Sequence, residues 1–215
     1  MAVSVLIADD HEMFRQGLRA VLENSGGIDV VGEAANGNQA VELCRTLDPD
    51  IAIMDVTMPE MSGIVATRLI RESGSKTRVI LLSMHLNEAY IVESFKSGAG
   101  GYVLKESAID ELLDAVQVVN TGGIYISQKA NTLVVEKLTR NGLEEKSTVF
   151  DILSHREIEV LQLICEGRST REIAKVLSLS PKTVDNHRAN IMNKVGIHDV
   201  PSLVRFAMRM GVSGP

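Results

Sequence analysis

Along the first 125 positions the apolar residues fall into two alternating rhythms. Short runs rich in β-branched residues occur at Val3–Ala8 (VSVLIA), Ile28–Ala34 (IDVVGEA), residues 51–54 (IAIM), residues 79–84 (VILLSM) and Gly101–Leu104 (GYVL). Several are continuously apolar, the pattern of strands covered on both faces in a parallel sheet. Between them the spacing turns helical. Phe14, Leu18, Val21 and Leu22 share one face, as do Val65, Leu69 and Ile70, and then Ile109, Leu112, Leu113 and Val116. Strand and helix in strict alternation predict an α/β domain, a doubly wound five-stranded parallel sheet with right-handed crossovers. Folds of this kind bind ligands beyond the carboxyl ends of their strands.

The rhythm changes near Ser127. Residues 130–138 carry one helical pattern, and the polar TRNGLEEKST that follows holds an Asn-Gly turn signal, so a partly helical connector is expected. From Leu153 onward no strand pattern remains. Ser154 with Glu157, and Ser169 with Glu172, form two capping boxes ahead of apolar helical stretches. Ser180-Pro181 supplies an N-cap and a first-turn proline for a helix over 183–195, and a fourth helix covers about 201–210. The expected division is residues 1–125, a linker at 126–152, and an all-α four-helix domain at 153–215 whose short helices and tight joints suggest a helix-turn-helix.

Composition adds limits. The chain has 215 residues, 45% hydrophobic and 23% charged, which suits a globular protein with a core needing no staples. Cys44 and Cys165 lie in apolar helical stretches and are expected to be buried, reduced thiols. No apolar run approaches the ~18 residues needed to cross a bilayer, and acids follow within a few residues of the first Met, so a cytoplasmic protein without a membrane partner is expected. The net charge of −6 is uneven. Residues 151–215 carry nine Lys/Arg against seven Asp/Glu, whereas residues 1–150 carry thirteen against twenty-one. An acidic part joined to a mildly basic one suggests two tasks. With aromatics at 3% and no Trp, a base-stacking platform for single strands is not expected.

The acidic part holds a constellation. Asp9 and Asp10 end the first strand and Asp55 ends the third. In a sheet ordered 2-1-3-4-5 these strands are neighbours, so three carboxylates converge. Clustered carboxylates repel and call for a cation, and hard oxygen ligands in a hydrated site favour Mg²⁺. Ser83 ends strand four and Lys105 ends strand five, at the same edge. A carboxylate nucleophile, a metal, an ammonium and a hydroxyl are what phosphoryl transfer to Asp55 requires.

DDHEMFRQG, DVTMPEMSG and GYVLK, in this order over residues 1–125, resemble a bacterial response-regulator receiver domain. The resemblance implies that Asp55 is the phosphoacceptor, with Mg²⁺ held by Asp10, Asp55 and the backbone carbonyl of Thr57, and with Asp9 acting partly through water. It casts Ser83 as the switch hydroxyl, Lys105 as the phosphate-binding lysine and Tyr102 as the aromatic switch. Glu106 stands where many receivers carry a proline, so no cis bond is expected there. His11 and His85 flank the pocket without the spacing of a zinc site.

LSHREIEVLQLICEGRSTREIAKVLSLSPKTVDNHRANIMNKVGI resembles a LuxR-type helix-turn-helix from Leu153 to about Ala207. The two parts together resemble the NarL/FixJ class of two-component transcription regulators. Within the third helix, Val184, Ile191 and Val195 point inward, leaving Lys182, Asp185, Asn186, Arg188 and Ala189 to face a major groove. Lys182 and Arg188 suit phosphates or guanine edges, Thr183 a phosphate at the helix N-terminus, Asn186 an adenine edge and Asp185 a cytosine amine. Asp185 and Ala189 depart from family members with lysines there. The resemblance implies a sensor histidine kinase and double-stranded promoter DNA as partners. It also implies a homodimer through the last helix, residues 200–210, with Leu203 and Val204 either on that surface or in the core of their own domain.

On this reading the kinase phosphorylates Asp55, Ser83 moves toward the new charge, Tyr102 follows, and the repacked face releases the DNA-binding part. The chain is then no enzyme beyond its own phosphorylation and dephosphorylation. Two alternatives stand beside it. One is a Mg²⁺-dependent aspartyl-phosphate phosphatase of the haloacid-dehalogenase type, which needs a second Asp two residues after the nucleophile, where this chain has Thr57. The other is a DNA-binding regulator that works without phosphorylation.

Overall fold

The computed structural model describes residues 2–84, 86, 88–141 and 152–209. Strands β1 (Val3–Ala8), β2 (Ile28–Ala34), β3 (Ile51–Asp55), β4 (Arg78–Ser83) and β5 (Gly101–Leu104) alternate with helices α1 (Glu12–Asn24), α2 (Gly37–Leu47), α3 (Gly63–Glu72), α4 (Glu88–Ser97) and α5 (Ala108–Asn120). The sheet is parallel throughout, in the order β2-β1-β3-β4-β5, with a short sixth strand beyond β5. β3 is central and all five of its residues are buried. Side chains alternate between two cores, as the pleat requires. Leu6, Ala52, Met54 and Leu81 meet α2, α3 and α4 on one face. Val5, Ile7, Ile53, Ile80 and Val103 meet α1 and α5 on the other.

A sixth strand, β6 (Tyr125–Ile126), was not expected. Two residues are too few to show a period. The strand forms because its neighbour leaves an edge open: the Tyr125 amide donates to the Gly100 carbonyl and the Ser127 amide to the Tyr102 carbonyl, each at 2.9 Å. Ile109 is a correction as well. It was placed on the inner face of α5, but at 68% exposure it stands open in the first turn, while Leu112, Ala115, Val116 and Val119 are buried. The described residues contain no cis peptide.

Helix α6 (Gln128–Asn141) follows β6 directly, covering the helical pattern expected in the connector. Residues 142–148, the part of TRNGLEEKST that follows this helix, lie outside the described residues. The C-terminal part is helical: α7 (His155–Cys165), α8 (Thr170–Val176), α9 (Pro181–Val195) and α10 (Val200–Arg209). Both capping boxes close reciprocally, Ser154 with Glu157 and Ser169 with Glu172. Ser180 caps α9 with Pro181 in its first turn, and Gly196 ends that helix in the left-handed region at φ 68°. Cys44 is buried as expected, but Cys165 is only half-buried, because α7 ends at that residue. Burial pushes both thiols up, to about 12 and about 11.

Candidate functional site

The carboxyl edge of the sheet gathers the acidic cluster. Asp9 follows β1 fully buried, its amide donating to the Ala34 carbonyl at 3.1 Å. Asp55 closes β3 and is nearly as buried. Lys105 Nζ lies 2.6 Å from Asp9 Oδ2 and 2.7 Å from Asp55 Oδ2. The remaining oxygen, Asp55 Oδ1, accepts from the Thr57 amide at 3.2 Å. Asp10 sits at the exposed rim, 2.9 Å from His11 Nδ1, which also lies 3.1 Å from Asp9.

These charges perturb one another. Burial raises the Asp55 carboxyl to about 6; the Lys105 ammonium opposes that shift, while the Asp9 charge adds to it. Burial lowers Lys105, but Asp55 and Asp9 outweigh it and hold the ammonium above its ordinary value. One ligand atom from each of Asp9, Asp10, His11 and Asp55 falls within 4.8 Å of all the others. Three carboxylates with only one ammonium among them suit a hard cation.

Two backbone features hold Asp55 in place. Gly63 opens α3 against the strand end: a Cβ there would lie 2.1 Å from the Asp55 carbonyl oxygen. The Gly63 amide donates to the Val56 carbonyl at 2.9 Å, closing the loop between β3 and α3.

Ser83 and Tyr102 are both buried, and their side chains are hydrogen-bonded to each other. The tyrosine ring is therefore already inside the protein in this structure. Three participants were missed by the sequence reading. Phe14, assigned only to the core of α1, places its ring 4.9 Å below Lys105 Nζ, a cation–π contact. Tyr90, on α4, is buried and bonded to Thr57. Arg15 donates to the Asp9 carbonyl at 2.6 Å. Only the helical spacing of Phe14 was visible beforehand; contacts across elements leave no local pattern. Glu106 points away from the pocket to an ion pair with Lys129 of α6 at 2.6 Å. His85 lies outside the described residues.

In the helical part, Val184 and Ile191 are buried and Val195 half-buried, the expected inward face of α9. Lys182, Asp185, Asn186 and Ala189 are exposed, and Thr183 and Arg188 are half-buried. The outer face of α9 is thus open and not covered by the α/β part. Asp185 accepts from the Thr170 hydroxyl at 3.2 Å, which ties it to the start of α8. Leu203 is fully buried and belongs to the core of this part, while Val204 is half-buried.

A parallel sheet with a charged carboxyl-edge pocket, joined to a helix-turn-helix with an open third helix, defines a regulator that joins a receiver to a DNA-binding domain. The comparisons agree on both parts. The receiver-domain family of response regulators matches residues 5–117, and the LuxR family of bacterial regulatory proteins matches residues 151–207. The transcriptional regulatory protein DegU of Brevibacillus brevis is 36% identical over 97% of this chain and 94% of its own. The response regulator UvrY of Escherichia coli K12 is 36% identical over 98% and 95%. A structure of the response regulator RcsB in complex with DNA covers 97% of this chain and 99% of its own, at 28% identity and a TM-score of 0.61. The receiver domain of a NarL regulator from Mycobacterium tuberculosis covers 56% and 98%, at 38% identity and a TM-score of 0.55.

The chain belongs to the two-component response regulators that join a phosphoacceptor receiver to a LuxR-type DNA-binding domain and control transcription. It is a transcription factor of that family and not a classical enzyme. Among the described residues no helix is long and apolar enough to cross a membrane.

Proposed function

We propose that this chain acts in the cytoplasm, that Asp55 is the phosphoacceptor, charged by a sensor histidine kinase, and that its modification controls binding of this chain to double-stranded promoter DNA. The observation that carries this reading is the bridging of Asp9 and Asp55 by Lys105 at 2.6 and 2.7 Å, inside the acidic cluster. Asp9, Asp10, Asp55 and the Thr57 carbonyl are the residues that would hold Mg²⁺. The cation supplies neutralisation of the phosphoryl oxygens when bound.

In the transfer a phosphorus–oxygen bond forms to the Asp55 carboxylate. The phosphorus–nitrogen bond of the kinase phosphohistidine breaks, and the imidazole nitrogen keeps the electron pair and takes up a proton. Lys105 stays beside the phosphoryl group as its counter-charge. Ser83 donates to a phosphoryl oxygen, which takes it from Tyr102, and movement of the Tyr102 ring then repacks the face formed by β4 and β5. The working division is a receiver at residues 1–125, a linker at 126–152 and a DNA-binding domain at 153–215. The α6 helix follows from β6, which pairs with the strand bearing Tyr102.

On DNA, Lys182, Thr183, Asn186, Arg188, Asp185 and Ala189 face the groove, the first two and Arg188 toward phosphates. RcsB has been solved as dimers on DNA. A two-fold pair of this chain would double the phosphate contacts of one modestly basic domain.

Acetyl phosphate with Mg²⁺ should label the wild type and leave Asp55→Asn unlabelled; a labelled variant would refute the assignment. DNA footprints that do not change with the phosphodonor would favour the phosphorylation-independent reading.

A further inference from the structure

Asp9 is held on both sides of its backbone. The β1–β2 ladder ends at Ala8, registered against Ala34. One residue further, the Asp9 amide still donates to the Ala34 carbonyl at 3.1 Å. Its own carbonyl lies beyond both ladders of β1. A backbone carbonyl on a fully buried residue needs a donor. Arg15 supplies one, with Nη1 at 2.6 Å from the Asp9 oxygen. That oxygen belongs to the peptide joining Asp9 to Asp10, so the bond fixes the plane from which both carboxylates project.

Arg15 is itself fixed. It lies on α1 one turn before Arg19, and the two share a helix face turned to Glu33 of β2. Glu33 Oε2 accepts from Arg15 Nε at 3.3 Å, and Oε1 from Arg19 Nη1 at 2.8 Å. Hydrogen bonds from Arg19, and then from Arg15, hold the Glu33 carboxyl below its ordinary range. Arg19 also pairs with Glu23 at 2.9 Å. Two arginines and two glutamates leave this network without net charge, so Arg15 is not a second counter-ion for the acidic cluster. What it offers is geometry: a planar fork, 14% exposed, with Nε on Glu33 and Nη1 on Asp9.

We infer that Arg15 is a positioning residue for the cation site, clamping the Asp9–Asp10 peptide so that both carboxylates face Asp55, with Glu33 orienting the clamp. This rests on the proposed cation site. On the pocket side, Asp9 Oδ1 accepts from the His11 amide at 2.9 Å and closes a tight turn. Arg15 closes the opposite side. Without it the peptide can rotate, and rotation carries the rim carboxylate of Asp10 away from Asp55. Arg15 acts through Asp9, so its loss weakens cation binding and leaves the reacting atoms as they are. Groups behind the ligands commonly set metal affinity in this way.

The test titrates MgCl₂ into the unphosphorylated full-length wild type, Arg15→Met, Arg15→Lys and Glu33→Gln, following the backbone amide shifts of residues 9–11 and 55–57 by NMR. Shifts of the folded form are read apart from those of unfolded chain, so lost stability does not mimic lost affinity. Arg15→Met should bind Mg²⁺ roughly tenfold more weakly. Arg15→Lys keeps the charge but not the fork, and should lose as much. Glu33→Gln leaves Arg15 an acceptor and should lose roughly threefold. In labelling by acetyl phosphate, the variants should need more Mg²⁺ yet reach the wild-type rate at saturation.

Unchanged Mg²⁺ affinity in Arg15→Met overturns the inference and leaves the cation site standing. So does Arg15→Lys matching the wild type where Arg15→Met does not, since charge alone would then suffice. A labelling rate still low at saturating Mg²⁺ overturns it as well, by putting Arg15 among the groups that act on the phosphoryl. A wild type whose shifts ignore Mg²⁺ overturns the cation site and the inference together.

Discussion

Lys105 Nζ lies 2.7 Å from Asp55 Oδ2, although fifty positions of chain separate the two residues. Both are buried, and Asp9 shares the same ammonium. Removing the lysine strands two carboxylates in a site that solvates them poorly. Lys105→Met is expected to lower stability at neutral pH by roughly 3 kcal/mol, the cost of breaking a buried pair. Added Mg²⁺ should restore part of it by binding the folded form. Urea unfolding with and without MgCl₂ reads both effects; equal midpoints for variant and wild type would contradict the geometry.

The raised Asp55 carboxyl sets a pH dependence. Its value in the fold is about 6, above the ordinary 3.8, so the folded state binds this proton more tightly than the unfolded chain. That contribution is fully present below about 3.8 and lost as the pH rises through about 6. Asp55→Asn should therefore be more stable than wild type at pH 8, with the advantage fading on acidification through this window. Thermal melts at pH 4, 6 and 8, an approximate series spanning the window, give the comparison.

The same ionisation governs labelling. The nucleophile is the carboxylate, so at low Mg²⁺ the initial rate with acetyl phosphate should fall on acidification with a midpoint near about 6. Raising Mg²⁺ should move the midpoint to lower pH, because a bound cation favours the ionised form. A midpoint indifferent to the metal would argue against a shared site.

Gly63 tests how tightly the acceptor is packed. A methyl group there would meet the Asp55 carbonyl oxygen at 2.1 Å, and backbone cannot swing aside as a flexible side chain can. Gly63→Ala should lose about 3 kcal/mol or more, at the upper end for overpacking. Gly17→Ala, with nothing within 4 Å of its added methyl, is the control and should be neutral or better. Chemical denaturation of the two variants side by side settles the order.

On α9, Arg188→Ala should weaken binding to promoter DNA and reduce the slope of log affinity against log salt by about one. Asp185→Ala should strengthen binding to unrelated DNA, because it removes a negative charge facing phosphates and frees Thr170. Titrations at several salt concentrations distinguish the two; an unchanged slope for Arg188→Ala would remove it from the phosphate contacts.

Much of this was legible in the chain itself. Apolar runs set five strands, capping residues set the starts of α7, α8 and α9, and acids at strand ends marked the pocket. Such features are local: periodicity and caps act over a few residues, and each leaves its sign in the string. The strand order could be inferred only through the fold class, yet it carried Asp9, Asp55, Ser83 and Lys105 to one edge correctly.

What remained belongs to tertiary structure. Phe14 under Lys105, Tyr90 on Thr57, the two-residue β6, the open Ile109 and the grip of Gln162 on the Asp55 loop each join elements distant in sequence. A glutamine in an apolar helix reads as an ordinary surface residue until the structure shows Gln162 buried, with the Met58 carbonyl and the Ser62 amide paired to its side chain. Periodicity records which face of an element is buried, but not what buries it, and that partner is decided only when the elements pack.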